Sequence, residues 1–258
     1  MQKNKQEKMQ EQGAFMKLNC DLGESYGAWK MGRDDLVMPH IDMANVACGF
    51  HAGDPHVINK TLKLAKQFNT EVGAHPSYPD TLGFGRRSIK CSATEIIDLM
   101  LYQIAALDGM AQSQGISISY VKPHGALYND MMADSDVFKA ILQAMNQYYR
   151  PLKLMILATA DAEDRKMKAS SYGVELIFEA FADRRYTAQG ALTPRSQKGS
   201  VLDRKSTLEQ VESLVNNGHV ICDTGATIAI QADTICVHGD NEEAIELVEQ
   251  IRSLCLKK

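Results

Sequence analysis

No apolar run in this chain of 258 residues approaches the roughly 18 residues that a membrane-spanning helix needs. The first residues hold no apolar h-region, so no secretory signal is expected. The six cysteines form no C-x-x-C pair and no zinc-ribbon spacing. Cys20, Cys48, Cys91, Cys222, Cys236 and Cys255 are scattered instead. Reduced, mostly buried thiols in a cytoplasmic protein are the expectation. Neither the glycine-rich dinucleotide fingerprint nor the G-x-x-x-x-G-K-[ST] phosphate loop occurs, and neither does H-E-x-x-H. A net charge of -4 gives no reason to expect nucleic acid or a membrane surface as partner.

What is present is a repeated construction: an apolar strand, then a polar cluster at its C-terminal end. Residues 1–15 are polar and read as a disordered extension, which leaves 16–258 as one barrel-sized domain. Strands are expected at Phe15–Leu22, Met43–Ala47, Thr70–Ala74, Ile116–Val121, Leu152–Ala158, Val174–Phe178 and Thr234–Val237. Helices alternate with them. Asp54-Pro55 opens one that runs to Phe68. Ser92-Ala93-Thr94-Glu95 and Ser206-Thr207-Leu208-Glu209 read as capping boxes. Asp134 or Ser135 opens another helix, and Glu242–Leu254 is the last. Residues His219–Ile230 resemble a small hairpin. Seven alternating strands argue for an α/β fold with a parallel sheet. Polar clusters on nearly every strand favour closure into a (β/α) barrel over an open sheet, which concentrates its site at one switch point.

The clusters carry the candidate chemistry. Asp21 and Glu24 follow the first strand, His51 and Asp54 the second, and His75 the third. Lys122 and His124 follow the fourth, where Pro123 ends the ladder. Glu179 and Asp183 follow a later strand, and His238 and Asp240 the last. His51, His75, His124 and His238 would then face one mouth, whereas His40, His56 and His219 read as structural or exposed. Asp21, His51, His75 and His124 could hold a divalent metal. A metal-free polar pocket is the competing expectation. Asp21, Glu24 and Glu179 could act as acid and base. Lys122 is either a fixed charge beside an anionic group or one half of an internal salt bridge. Arg86, in a glycine-bounded loop, and the Asp183-Arg184-Arg185 stretch with Arg195 could hold a carboxylate or phosphate. Arg87 and Arg185 read as internal ion pairs that pin their loops.

Together these stretches resemble the LamB/YcsF lactam-utilisation family. The resemblance is carried by Leu18–Glu24, Ala44–Pro55, Gly73–Asp80, Gly83–Arg87, Val121–Asn129, Glu179–Tyr186 and Ile235–Asp240. It implies a seven-stranded (β/α) barrel akin to glycoside hydrolase and deacetylase barrels. It also implies ATP-coupled opening of 5-oxo-L-proline to L-glutamate, with ATP, accompanied by Mg, as co-substrate and two partner subunits, B and C. In that chemistry Asp21 or Glu179 is the expected base and His124 the acid. Lys122 and Arg86 would hold anions, and His51, His75, Arg184 and His238 would contact substrate. A metal-dependent sugar deacetylase and a non-catalytic lactam-binding subunit are the rival readings.

Overall fold

The computed structural model describes residues 16–195, 197–238 and 242–256. The polar extension 1–15 and Asp240 lie outside the described residues. Seven parallel strands close into a barrel: β1 (Lys17–Leu22), β2 (Met43–Ala47), β3 (Glu71–His75), β4 (Ile118–Val121), β5 (Lys153–Leu157), β6 (Leu176–Phe181) and β9 (Thr234–Val237). The ring is completed by β9, which pairs with both β6 and β1. Between β6 and β9 a two-stranded antiparallel hairpin stands apart, β7 (His219–Ile221) and β8 (Thr227–Ala229). The expected barrel and hairpin are both found.

Eight α-helices are described: α1 (Asp34–Val37), α2 (Pro55–Phe68), α3 (Ala93–Ser113), α4 (Gly125–Ala133), α5 (Ser135–Gln147), α6 (Ala162–Ser170), α7 (Arg204–Asn217) and α8 (Glu242–Cys255). None of the described helices is long and apolar enough to cross a membrane. Local sequence sets most helix starts. The Asp54 side chain accepts from the backbone N–H groups of His56 and Val57, and Pro55 takes the first helical position. Ser92 and Glu95 form a reciprocal capping box for α3. The expected box at Ser206 is not used. Helix α7 starts earlier, because the Asp203 carboxylate accepts from Ser206 N, and an aspartate ahead of the serine caps a helix as well.

Two other differences matter for the site. Strand β6 runs on to Phe181, so Glu179 lies inside the strand rather than after it. Helix α4 was not expected; it begins at Gly125, directly after His124. Gly125 has φ +58°, and a Cβ there would collide with the Gly85 carbonyl oxygen. Only glycine tolerates that combination of dihedral and approach.

Alternation along the strands separates two interiors. Leu18, Cys20 and Leu22 of β1 face the helical layer, with Ala44, Val46, Val72, Ala74 and the buried α3 residues Ile96, Met100, Ile104 and Leu107. Five of the cysteines are buried and all six are free. The alternate set lines the barrel itself. Its floor is Met43, Tyr120 and Met155, with Ile177 against them. The Tyr120 ring crosses this floor where β3 offers no side chain: a Cβ on Gly73 would collide with Tyr120 Cε2. Above the floor the lining turns polar.

Candidate functional site

Asn19 and Asp21 are two residues apart on β1, so both point into the barrel. The β1–β2 register sets Asp21 beside Asn45, whose Nδ2 donates to Asn19 Oδ1 at 2.9 Å and Asp21 Oδ1 at 2.8 Å. The Tyr120 hydroxyl donates to Asn45 Oδ1 at 2.7 Å, joining the apolar floor to this polar layer. Asn19 donates in turn to Thr234 Oγ1 on β9. Every one of these groups is buried or nearly so, and buried polar groups persist where partners satisfy them.

Lys122 lies just beyond β4 and reaches across the barrel. Its ammonium is 3.0 Å from Asp21 Oδ1 and 3.0 Å from Glu179 Oε2. Asn19 Oδ1 and Cys236 Sγ each lie 3.3 Å away. Burial works against its charge, but Asp21 and Glu179 hold its pKa well above the usual lysine value. Lys122 is thus a fixed positive charge and also an internal ion pair. Burial pushes the Cys236 thiol well up, so it stays protonated beside the ammonium. Glu179 has no exposed surface, whereas the Asp21 side chain keeps 16% of its surface open to the mouth. Burial also pushes the Tyr128 hydroxyl up, and the Glu179 charge adds to the effect.

The histidines form a second group. His75 ends β3, His124 caps α4, and His51 sits in the loop after β2. The loops after β1 and β2 pack backbone to backbone: Gly53 N donates to Ser25 O, and a Cβ on Gly53 would lie 2.8 Å from Gly23 O. That approach sets Glu24 Oε1 at 3.3 Å from His51 Nε2 and 3.6 Å from His124 Nδ1. His124 Nδ1 is 2.9 Å from His75 Nε2, and His75 Nε2 is 3.3 Å from Asp21 Oδ2. The rings of His51 and His124 stack at 3.7 Å. Burial pushes the pKa values of His51 and His124 well down, and the neighbouring imidazoles push the same way.

The long loop after β3 covers this group. Phe84 stands edge-on to both His51 and His124. Its φ of +53° is unusual for a bulky residue, and it turns the Phe84 carbonyl oxygen to 2.9 Å from His124 Nε2. Gly85 passes so close that a Cβ would meet His124 Cδ2 at 2.8 Å. At the other edge of the mouth, His238 Nδ1 is 3.1 Å from Asp183 Oδ2. Burial opposes the Asp183 charge, yet His238 keeps its pKa below the usual carboxylate value. Asp21, Cys236 and His238 each place a side-chain heteroatom within 4.8 Å of the others.

Asp21, His51, His75, Lys122, His124 and Glu179 therefore meet at one end of the barrel, with His238 at the rim. Arg86 is exposed on the covering loop, its guanidinium 5.1 Å above the Phe84 ring. Arg184, expected at the substrate, is turned elsewhere. Its guanidinium donates to Thr193 O at 2.7 Å and Ser200 O at 3.3 Å, so it holds its own loop. Arg87 pairs with Asp80 as expected, whereas Arg185, expected in an ion pair, pins its loop by donating to the Gly199 carbonyl oxygen. His40 pairs with Glu249 on the outside. The expected metal set also shifts. The three histidines converge with Glu24, while Asp21 faces Lys122. Sequence reasoning passed over Asn19, Asn45, Ser77, Phe84 and Cys236. The first two and Cys236 carry a signal, polar or small residues alternating with apolar ones inside a strand. Phe84 carries none.

The profile of the LamB/YcsF family matches residues 16–258. The chain belongs to the LamB/YcsF family. The A-type subunit of 5-oxoprolinase from Vibrio parahaemolyticus is 52% identical over 236 residues, covering 91% of this chain and 93% of that one. Its counterpart of the same name from Chromohalobacter salexigens is 49% identical, covering 91% and 94%. The crystal structure of a lactam utilization protein from Thermus thermophilus superposes with a TM-score of 0.85 at 37% identity, covering 93% of this LamB/YcsF chain and 95% of its own. Their names place the first two relatives in multi-subunit enzymes.

Proposed function

We propose that this chain is the A-type subunit of an ATP-dependent 5-oxoprolinase, which opens 5-oxo-L-proline to L-glutamate together with subunits B and C. The observation that carries the reading is Lys122, clamped between Asp21 and Glu179 at the mouth of a barrel about half identical to proteins of that name. A five-membered lactam is a stable amide. Transfer of a phosphoryl group from ATP, accompanied by Mg, to the amide oxygen would supply a leaving group. Water can then attack the carbonyl carbon, the C–N bond breaks as the ring nitrogen takes up a proton, and the resulting γ-glutamyl phosphate is cleaved by a second water to glutamate and inorganic phosphate.

Asp21 suits the base, because its carboxylate is charged and reaches the open mouth. Glu179 is sealed off and suits a counter-charge for Lys122 better. The ammonium of Lys122 favours negative charge developing beside Asp21. His124 suits the acid less well than expected, because its Nε2–H is committed to the Phe84 carbonyl. His238, oriented by Asp183 at the half-open rim, is the better proton donor. Arg86 suits the carboxylate of the substrate or a phosphate at the rim. No phosphate loop is present in the sequence, which supports a division of labour with B and C.

The test is glutamate and ADP release from 5-oxoproline and ATP, first with this chain alone and then with subunits B and C. Turnover is expected only from the assembled enzyme. Full activity of the single chain would overturn the division of labour, and no activity in the assembly would overturn the assignment.

A further inference from the structure

The hydrogen bonds on the outer sides of the three histidines decide what faces inward. His75 Nδ1 is 2.6 Å from the Lys122 carbonyl oxygen, and His124 Nε2 is 2.9 Å from the Phe84 carbonyl oxygen. A carbonyl only accepts, so both of these nitrogens carry the proton. His51 Nδ1 is 3.0 Å from Ser77 Oγ, whose own proton goes to the Tyr78 carbonyl. Ser77 Oγ therefore accepts from His51. When the rings are neutral, the other nitrogen of each is left with a bare lone pair, that of His75 also lying 3.3 Å from Asp21 Oδ2. Those nitrogens are His51 Nε2, His75 Nε2 and His124 Nδ1, and they are the atoms that converge with a Glu24 carboxylate oxygen, all within 4.8 Å of one another.

Four acceptors face one another, and two of them, His75 Nε2 and His124 Nδ1, are only 2.9 Å apart. Lone pairs at that distance repel unless a cation lies between them. The edges of 2.9, 3.3 and 3.6 Å bracket the roughly 3.3 Å edge of a tetrahedron with metal–ligand bonds of about 2.0–2.1 Å. Outer N–H groups held by carbonyl or hydroxyl oxygens are also what fixes metal-binding imidazoles in other proteins. The neighbouring group of Asp21, Cys236 and His238 does not compete, because the Lys122 ammonium already stands against Asp21 and Cys236.

We propose that Glu24, His51, His75 and His124 form a binding site for one divalent transition-metal ion of the zinc class. Three neutral imidazoles and one carboxylate suit such an ion. Seating it would tilt the stacked, near-parallel His51 and His124 rings toward each other. The ion would lie next to Asp21, across one His75 contact. The site does not depend on the lactam reading, since binding is measured without 5-oxoproline, ATP or partner subunits.

The experiment uses the full chain, freed of metal with a chelator and titrated with Zn(II) and Co(II) in competition with a chromophoric chelator. One ion per chain is expected, with the intense visible absorption of tetrahedral Co(II). Ser77→Ala, which removes the partner of His51 without touching a ligand, should weaken binding by roughly 10–100-fold. Glu24→Gln and His75→Ala should weaken it at least as much. Should a ligand variant fail to fold, nitrogen NMR of the unaltered chain reads the same point. Zn(II) should shift Nε2 of His51 and His75 and Nδ1 of His124, leaving the outer nitrogens protonated. A folded chain that takes up no ion, binding unchanged in the variants, or unshifted ring nitrogens would each overturn the proposal. A shared proton in place of the metal would show as an imidazolium signal and the same lack of uptake.

Discussion

Lys122 and Glu179 form an ion pair of 3.0 Å in which the carboxylate has no exposed surface and the ammonium side chain only 3%. Two desolvated charges in contact stabilise one another, but each becomes costly when its partner is removed. Lys122→Met would leave Asp21 and Glu179 facing each other without a cation. It should destabilise the chain by about 3–5 kcal/mol in chemical denaturation. Adding Glu179→Leu should recover part of that loss. A Lys122→Met chain as stable as the parent would show that the pair contributes little.

Gly73 and Tyr120 make a second tight relationship. The Tyr120 ring occupies the space where a Cβ on residue 73 would be. Gly73→Ala must displace the ring and its hydrogen bond to Asn45. A loss of about 1–3 kcal/mol is expected from overpacking, read as a lower melting temperature. An unchanged melting temperature would mean that the barrel floor yields more easily than the packing implies.

His238 is expected to matter for rate. In the assembly proposed with subunits B and C, His238→Ala should lower turnover by about 10²–10⁴-fold, with little change in circular dichroism. Asp183→Asn, which keeps the shape but weakens the orientation of His238, should lower it less. Near-normal turnover of His238→Ala would return the proton-transfer role to the buried histidines.

Asp108 controls a pH effect far from the mouth. Its carboxylate accepts from Tyr148, Tyr149 and Arg150, which tie the turn after α5 to α3. Burial opposes its charge, but these donors hold its pKa below the usual aspartate value. A depressed folded pKa stabilises the chain above the unfolded value of about 3.9, and that contribution is lost as pH falls through the folded pKa. Asp108→Ala should therefore cost about 1–3 kcal/mol at neutral pH. The gap between variant and parent should narrow below about pH 4. Denaturation at a series of pH values checks it; a gap that stayed constant would detach the effect from the carboxylate charge.

Much of the fold is written in local sequence. Apolar runs of strand length, the Asp54-Pro55 cap, the Ser92–Glu95 box and polar residues after successive strands are short-range features. Each acts through its own few residues, so strand number, parallel order and the end of the barrel where the polar residues gather were all legible. Helix α4 and the late end of β6 were not. Gly125 reads as a breaker until the Gly85 carbonyl is seen against it. Glu179 reads as a strand terminator until Lys122 is there to receive its charge.

The site itself depends on closure. Lys122 and Asp21 are 101 residues apart in the chain, and nothing local distinguishes a lysine held by two carboxylates from one in solvent. The choice of Glu24 over Asp21 beside the histidines follows from the packing of Gly23 against Gly53. The protonated nitrogen of each imidazole follows from a carbonyl or hydroxyl on another segment. Sequence by itself determined which residue types stand at the mouth of the barrel, because strand periodicity and strand ends are local. Only the tertiary structure decided which of them touch, because pair distances and proton positions arise when distant strands close the ring.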